Sequence, residues 1–182
     1  VGIIAAEQSL LLPDFRAAER TMQLLTQVAG RAGRGSRPGT VVLQAAQPEH
    51  PVLQYAYRHD YAGFMENELA GRKKLYYPPF SRLVQINFSG EDEKAVEQSA
   101  RLYHRSLGGE EHFFAMHPPQ PALLSRINRR YRWQLLLRVE KSRDSDGSKL
   151  GAALGRAEEY ALRHARSKAV YIGIDVDPQN MM

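Results

Sequence analysis

None of the 182 residues is a cysteine, so this chain can form neither a disulfide nor a thiolate zinc site. No run approaches the roughly 18 apolar residues that a membrane-spanning helix needs. The first fifteen residues are apolar, but no basic stretch precedes them, which argues against a secretion signal. Internal repeats and low-complexity tracts are missing as well. The six histidines show no metal-ligand spacing: His112 and His117 stand five apart around apolar residues, and no metal site is expected. A phosphate-cradling G-x-x-x-x-G-K-S/T loop does not occur, nor does an acidic tetrad of the Walker B kind, so the chain has no self-sufficient nucleotide site. With 43% apolar residues, 25% charged residues and a mean hydropathy of -0.48, the composition is that of a soluble globular protein.

The formal net charge is +5, but its distribution says more than its size. Between Arg126 and Arg143 there are seven basic residues and one acidic residue, a density suited to an anionic partner. Arg126, Arg129, Arg130 and Arg132 alternate there with Tyr131 and Trp133, and cations beside aromatic rings suit nucleic acid. The same alternation also places Tyr131 and Trp133 in a core, with the arginines as a solvated strand edge.

Residues 1–12 read as a buried strand and a loop. Pro13-Asp14 opens a helix with Asp14 as N-cap, running from Phe15 to about Val28, where Gly30, Gly33 and Gly35 end or loosen it. Thr40–Ala45 reads as a strand. Val52 to about Leu75 reads as one or two helices, stopped by Tyr77-Pro78-Pro79-Phe80. The basic run Arg72-Lys73-Lys74 suits a helix C-terminus, with a DNA phosphate contact as the alternative. Beyond it the periods are regular: a strand at 82–88, a helix at 92–107, an apolar patch at Phe113–Met116, strands at 122–127 and 131–139 joined near Asn128-Arg129, a helix at 149–166 with Leu150, Leu154, Ala157, Ala161 and His164 along a stripe, and a last strand of Val170, Ile172, Ile174 and Val176. The expected class is α+β, with a ferredoxin-like β-α-β-β-α-β domain at 81–182. Residues 48–80 are expected as a helical connector.

The segment richest in chemistry is Gln27-Val28-Ala29-Gly30-Arg31-Ala32-Gly33-Arg34. Two arginines three residues apart can point the same way from a helical turn, and the guanidinium is a planar fork suited to phosphate. An arginine brought to a phosphoryl-transfer site from another domain stabilises charge in the transition state. A plain reading, a glycine-capped helix end with two surface arginines, stands beside it.

The octet resembles motif VI of superfamily 2 helicases. The longer run from Leu12 to Arg34 is similar to the primosomal replication-restart helicase family, and Tyr77-Pro78-Pro79-Phe80, Arg130-Tyr131-Arg132-Trp133-Gln134 and Ile174-Asp175-Val176-Asp177-Pro178 agree with it in order. The resemblance implies an ATP-driven 3′→5′ DNA helicase that acts at stalled or recombined forks. Residues 1–47 would then close the second, RecA-like helicase lobe. Arg34 would be the arginine finger, Arg31 would help hold the γ-phosphate, and Gln27 would orient the motif, with Gly30 and Gly33 structural. Arg126, Arg129, Arg130 and Arg132 would contact forked or single-stranded DNA. ATP with Mg2+ would belong to the full-length protein, and a zinc site is expected outside this chain. Primosome proteins and single-strand-binding protein are the expected partners, in a bacterial cytoplasm near the nucleoid. Ala5-Ala6-Glu7 departs from the family's pattern. The start at Val1 and the absent ATP-site motifs suggest a piece of a longer protein, inactive alone. The other readings are a protein-docking module and an RNA-binding domain, the latter without the strand signature of the common RNA-recognition fold.

Overall fold

The computed structural model describes residues 1–32, 40–109, 113–164, 169–179 and 181. It divides into two compact units, Val1–Lys74 and Leu75–Met182.

In the first unit, strand β1 (Gly2–Ile3) pairs in parallel with β2 (Val42–Leu43). A ladder this short buries little, and the apolar start does not form the expected buried strand: Ile4 is 79% exposed and Leu11 80%. Helix α1 (Ala17–Ala32) buries Ala17, Thr21, Met22 and Leu25 on one stripe. It runs past Val28 and through Gly30, so that glycine does not stop it. Asp14 sits just before the helix, where its carboxylate accepts from the Arg16 amide at 2.9 Å. Helix α2 (Pro51–Tyr57) starts with proline at a position where the missing N–H costs nothing. Helix α3 (Tyr61–Lys74) follows after a break at His59, whose φ is +55°. Two small apolar clusters join these pieces: Ala6, Leu25 and Leu53 in one, and Met22, Val52 and Phe64 in the other. Both draw on α1 and α2, so the helices at 51–74 pack as part of this unit.

The second unit holds β3 (Ser81–Gly90), α4 (Glu93–Leu107), β4 (Phe114–Met116), β5 (Gln120–Ile127), β6 (Arg130–Glu140), α5 (Ser148–His164) and β7 (Tyr171–Val176). Just before β3, the peptide bond between Pro78 and Pro79 is cis. The sheet order is β4–β6–β3–β7, antiparallel throughout, with β5 also paired to β6. The apolar patch at 113–116 is therefore a strand, and β4 and β5 share one edge of β6 at opposite ends.

Alternation on β3 and β6 sends Val84, Ile86, Phe88, Trp133, Leu135, Leu137 and Val139 to one face. There they meet Val96, Ala100, Tyr103 and Leu107 of α4, and Leu150, Ala153, Leu154, Ala157 and Ala161 of α5. His164, expected on that stripe, is instead exposed and stacks on Tyr160 with ring centroids 4.1 Å apart. Asp92 caps α4, accepting from the Lys94 amide at 2.9 Å. Buried Asp144 accepts from the Leu150 amide at 2.9 Å, satisfying the first turn of α5. Within this α+β layer pair, the opposite face of the sheet carries no helix among the described residues.

Candidate functional site

Helix α1 places Gln27, Gly30 and Arg31 on one exposed strip, because residues three and four apart stack along a helix. The opposite side of α1 is anchored by Met22 and Leu25, so the strip faces away from the unit's core. Arg31 lies in the last turn, where the helix dipole favours a cation. A helix C-terminus offers carbonyls, not N–H groups, so an anion here would be held by side chains alone. A Cβ at Gly30 would meet nothing within 4 Å, so nothing described in this chain requires glycine there. Gly33 and Arg34, the expected arginine finger, lie outside the described residues.

Behind the strip, α1 is pinned by charge. Asp14, with a fully buried side chain, pairs with Arg20 at 3.0 Å. Glu19 accepts from Arg72 at 2.8 Å, and Arg72 also reaches Glu68 at 2.9 Å. The Arg72 guanidinium lies 5.1 Å from the Phe15 ring centre. With only 10% of its side chain exposed and two carboxylates on its fork, Arg72 is a structural clamp and is not available to a phosphate. Of the basic run at 72–74, sequence alone could not single it out, since Glu19 stands 53 residues away.

In the second unit, the β5–β6 hairpin turns at Asn128 and Arg129, with φ of +50° and +64°. A two-residue turn with both φ values positive matches the twist of the flanking strands. The four arginines of the hairpin do not converge. Arg126 lies over the Tyr131 ring, 4.8 Å from its centre. Arg129 sits exposed at the tip. Arg130 donates to the backbone oxygen of Ser89 at 3.0 Å, tying the hairpin to β3. Arg132 pairs across from Ser89 on the helix-free face, with no hydrogen bond or ion pair among the described residues. Trp133 is core, 9% exposed, with the Arg101 guanidinium 5.9 Å from its ring. Tyr131 packs against that same core.

Two acidic residues of the segments compared with the family, Glu7 and Asp177, bond to the backbone. Glu7 accepts from the Ala46 amide at 3.0 Å, and Asp177 accepts from the Leu83 amide at 2.9 Å. No cluster of three or more histidine, aspartate or glutamate side chains suited to a metal occurs among the described residues. Burial holds the Tyr103 phenol far above its usual range, with Glu158 adding to the shift, and its hydroxyl donates to the Leu154 carbonyl at 3.0 Å.

One residue that the sequence pattern passes over is Tyr171. Its ring lies along the helix-free face: a Cβ on Gly173 would come 3.2 Å from Tyr171 Cε1. The signal was an aromatic on the polar side of a strand, two residues before a glycine that leaves it room.

Geometry defines a class first: an α+β domain with cations dispersed around one hairpin, joined in sequence to a helical unit that presents an amide and a guanidinium on an exposed strip. Residues 73–179 match the family described as the Primosomal protein N C-terminal domain, and the chain belongs to that family. It is similar to Replication restart protein PriA of Synechocystis, 39% identical over 98% of this chain and 20% of that protein. The Bacillus subtilis protein of that name is 36% identical over 100% of this chain and 22% of its own length. That of Chlamydia pneumoniae is 35% identical over 97% and 23%. The chain thus spans about a fifth of the length of these relatives. A solved hydantoinase/carbamoylase family amidase from Burkholderia ambifaria aligns over 53% of this chain and 27% of its own at TM-score 0.36 and 16% identity, too weak to carry an argument.

Proposed function

We propose that this chain is the C-terminal part of an ATP-dependent 3′→5′ DNA helicase for replication restart, acting on bacterial forks in the cytoplasm, near the nucleoid. Residues 1–47 close a RecA-like lobe, residues 48–80 are a helical connector, and residues 81–182 form a ferredoxin-like domain that contacts fork DNA. Counting β4 and β5 as one strand position supports the ferredoxin-like reading, since the order across the sheet is then fourth, first, third, second. The observation that carries the proposal is the exposed strip of Gln27, Gly30 and Arg31, within a chain whose relatives bear the replication-restart name. ATP and Mg2+ would be held by parts of the full-length protein beyond this chain, as would a zinc site. Arg31, without a partner among the described residues, fits the γ-phosphate, and Arg34 would supply the finger. The chain alone, with neither Walker motif, is inactive. In the full-length protein, Arg34→Ala is expected to lower ATP turnover by about a thousandfold, with nucleotide binding retained. Unchanged turnover refutes the assignment.

A second reading has its own observation. Where β5 leaves its register on β6, between Pro121 and Arg126, Leu123 and Leu124 stand 54% and 56% exposed, with Ile127 at 39% nearby. Exposed leucines on an edge favour docking of primosome or single-strand-binding proteins. Salt separates the two readings, because phosphate contacts release counterions and an apolar dock does not.

A further inference from the structure

We propose that the helix-free face of the sheet, at the Tyr171 end, is a stacking platform for an unpaired base of single-stranded DNA. This rests on the DNA-contact reading above and adds a site to it.

Tyr171 is on the edge strand β7, 67% exposed, with its ring laid over Gly173. Register places Tyr171 opposite Ser89 on β3, and Ser89 opposite Arg132 on β6. One row across three strands therefore carries a tyrosine, a small residue and an arginine with no hydrogen bond or ion pair among the described residues. Adjacent strands lie about 4.8 Å apart, so the backbones of Tyr171 and Arg132 stand roughly 10 Å from each other. That span suits a base stacked on the ring and a neighbouring phosphate at the cation.

The next row is Gly173, Asn87, Gln134 and Gln120; the side-chain oxygens of Asn87 and Gln134 accept from Gln85 Nε2 at 3.2 and 3.3 Å, which leaves their N–H groups to donate to base edges without imposing a charge. Charge sets the direction of the strand: Arg129, Arg130 and Arg132 lie at this end, whereas Asp175 lies further along β7, opposite Gln85. The Leu83–Gln85 end is not available, since Leu83 and Gln85 are buried and Gln85 Nε2 donates to the Met181 carbonyl at 3.5 Å. The open area is thus limited to the rows of Ser89 and Asn87, room for one or two bases. A core role for Tyr171 is excluded by its exposure and by its facing away from Phe88 and Ile172. Aromatic rings on a sheet face are a known solution for gripping unstacked bases.

The test is fluorescence anisotropy of this chain with labelled oligodeoxythymidylate, oligouridylate and a forked duplex, at two salt concentrations. Tyr171→Ala is expected to weaken oligodeoxythymidylate binding by about five- to a hundredfold, with no change in salt slope. Tyr171→Phe should keep wild-type affinity, because the ring and not the hydroxyl makes the contact. Gly173→Val, which a strand tolerates well, should lift the ring and act like Tyr171→Ala. Wild-type affinity in Tyr171→Ala overturns the platform, as does a loss in Tyr171→Phe equal to that in alanine. Tighter binding of oligouridylate than of oligodeoxythymidylate overturns the assignment to DNA. If the fork binds and Tyr171→Ala has no effect on single strands, only the platform fails. If no DNA binds the wild-type chain, the DNA-contact reading fails as well.

Discussion

Replacing Arg72 by methionine keeps most of the aliphatic stem and removes the fork that joins α1 to α3. Glu19 and Glu68, 26% and 16% exposed, would each lose a charge-assisted hydrogen bond and be left facing one another without a cation between them. Such a bond contributes about 1.5–3 kcal/mol, and stranding a buried partner costs about 3–5. Because both carboxylates keep some contact with water, the lower part of that range applies, about 2–3 kcal/mol in total. The guanidinium over Phe15 adds about 0.5–1 kcal/mol. A loss of about 3 kcal/mol corresponds to roughly a hundredfold less amide protection in α1 and α3. Hydrogen exchange is the right assay, because the single tryptophan, Trp133, is in the other unit and does not report on these helices. A second change, Glu68→Gln, should restore part of the loss. The DNA-binding salt slope should not move. Protection unchanged to within about threefold, or a slope shallower by about 0.7 as for one lost phosphate contact on a single strand, would refute the clamp.

Two further outcomes follow from the second unit. Tyr103→Phe removes the hydroxyl that donates to the Leu154 carbonyl and should cost about 1 kcal/mol by urea melting. The unfolded chain ionises this phenol near pH 10.0, whereas the folded chain keeps it protonated, so wild-type stability should fall as pH rises past that value and the variant should fall less; equal slopes would count against burial as the cause. Arg130→Gln and Arg132→Gln should separate cleanly. The first loses the tie to Ser89 and lowers the melting temperature; the second leaves it unchanged and makes DNA binding less salt-dependent. Reversed results would exchange the two roles.

The second unit is legible in the sequence because its periods are enforced by burial. Val84, Ile86 and Phe88 are fully buried, as are Val96, Ala100, Tyr103 and Leu107, and one-residue errors would move a whole set to solvent. The patch at 113–116 is harder, since three residues of ladder carry no period of their own and only β6 determines that they are a strand. The first unit is harder still. Its opening run is as apolar as a buried strand, yet among the described residues β1 pairs only with β2, so the pattern implies burial that the described part of this unit does not supply. Gly30 misleads for a related reason: a glycine weakens a helix by about 1 kcal/mol, which the anchoring of Met22 and Leu25 outweighs.

The candidate sites show why a cluster of arginines means different things on different elements. On α1, Gln27 and Arg31 are four apart and share a face, so spacing in the chain becomes proximity in space. On β6 the period is two. Arg130 and Arg132 go to the side away from the helices, and Tyr131 and Trp133 to the side beneath them. Arg126 pairs with Tyr131 and so joins the helix side, while Arg129 is spent on the turn. Of four cations within seven residues, one engages a ring, one a backbone carbonyl, and two keep their charge unpaired among the described residues. A phosphate near the hairpin would therefore meet Arg129 and Arg132, and it would meet them next to the face where Tyr171 lies. The composition of the run points to nucleic acid, but the pleat of the strand decides which half of it can act.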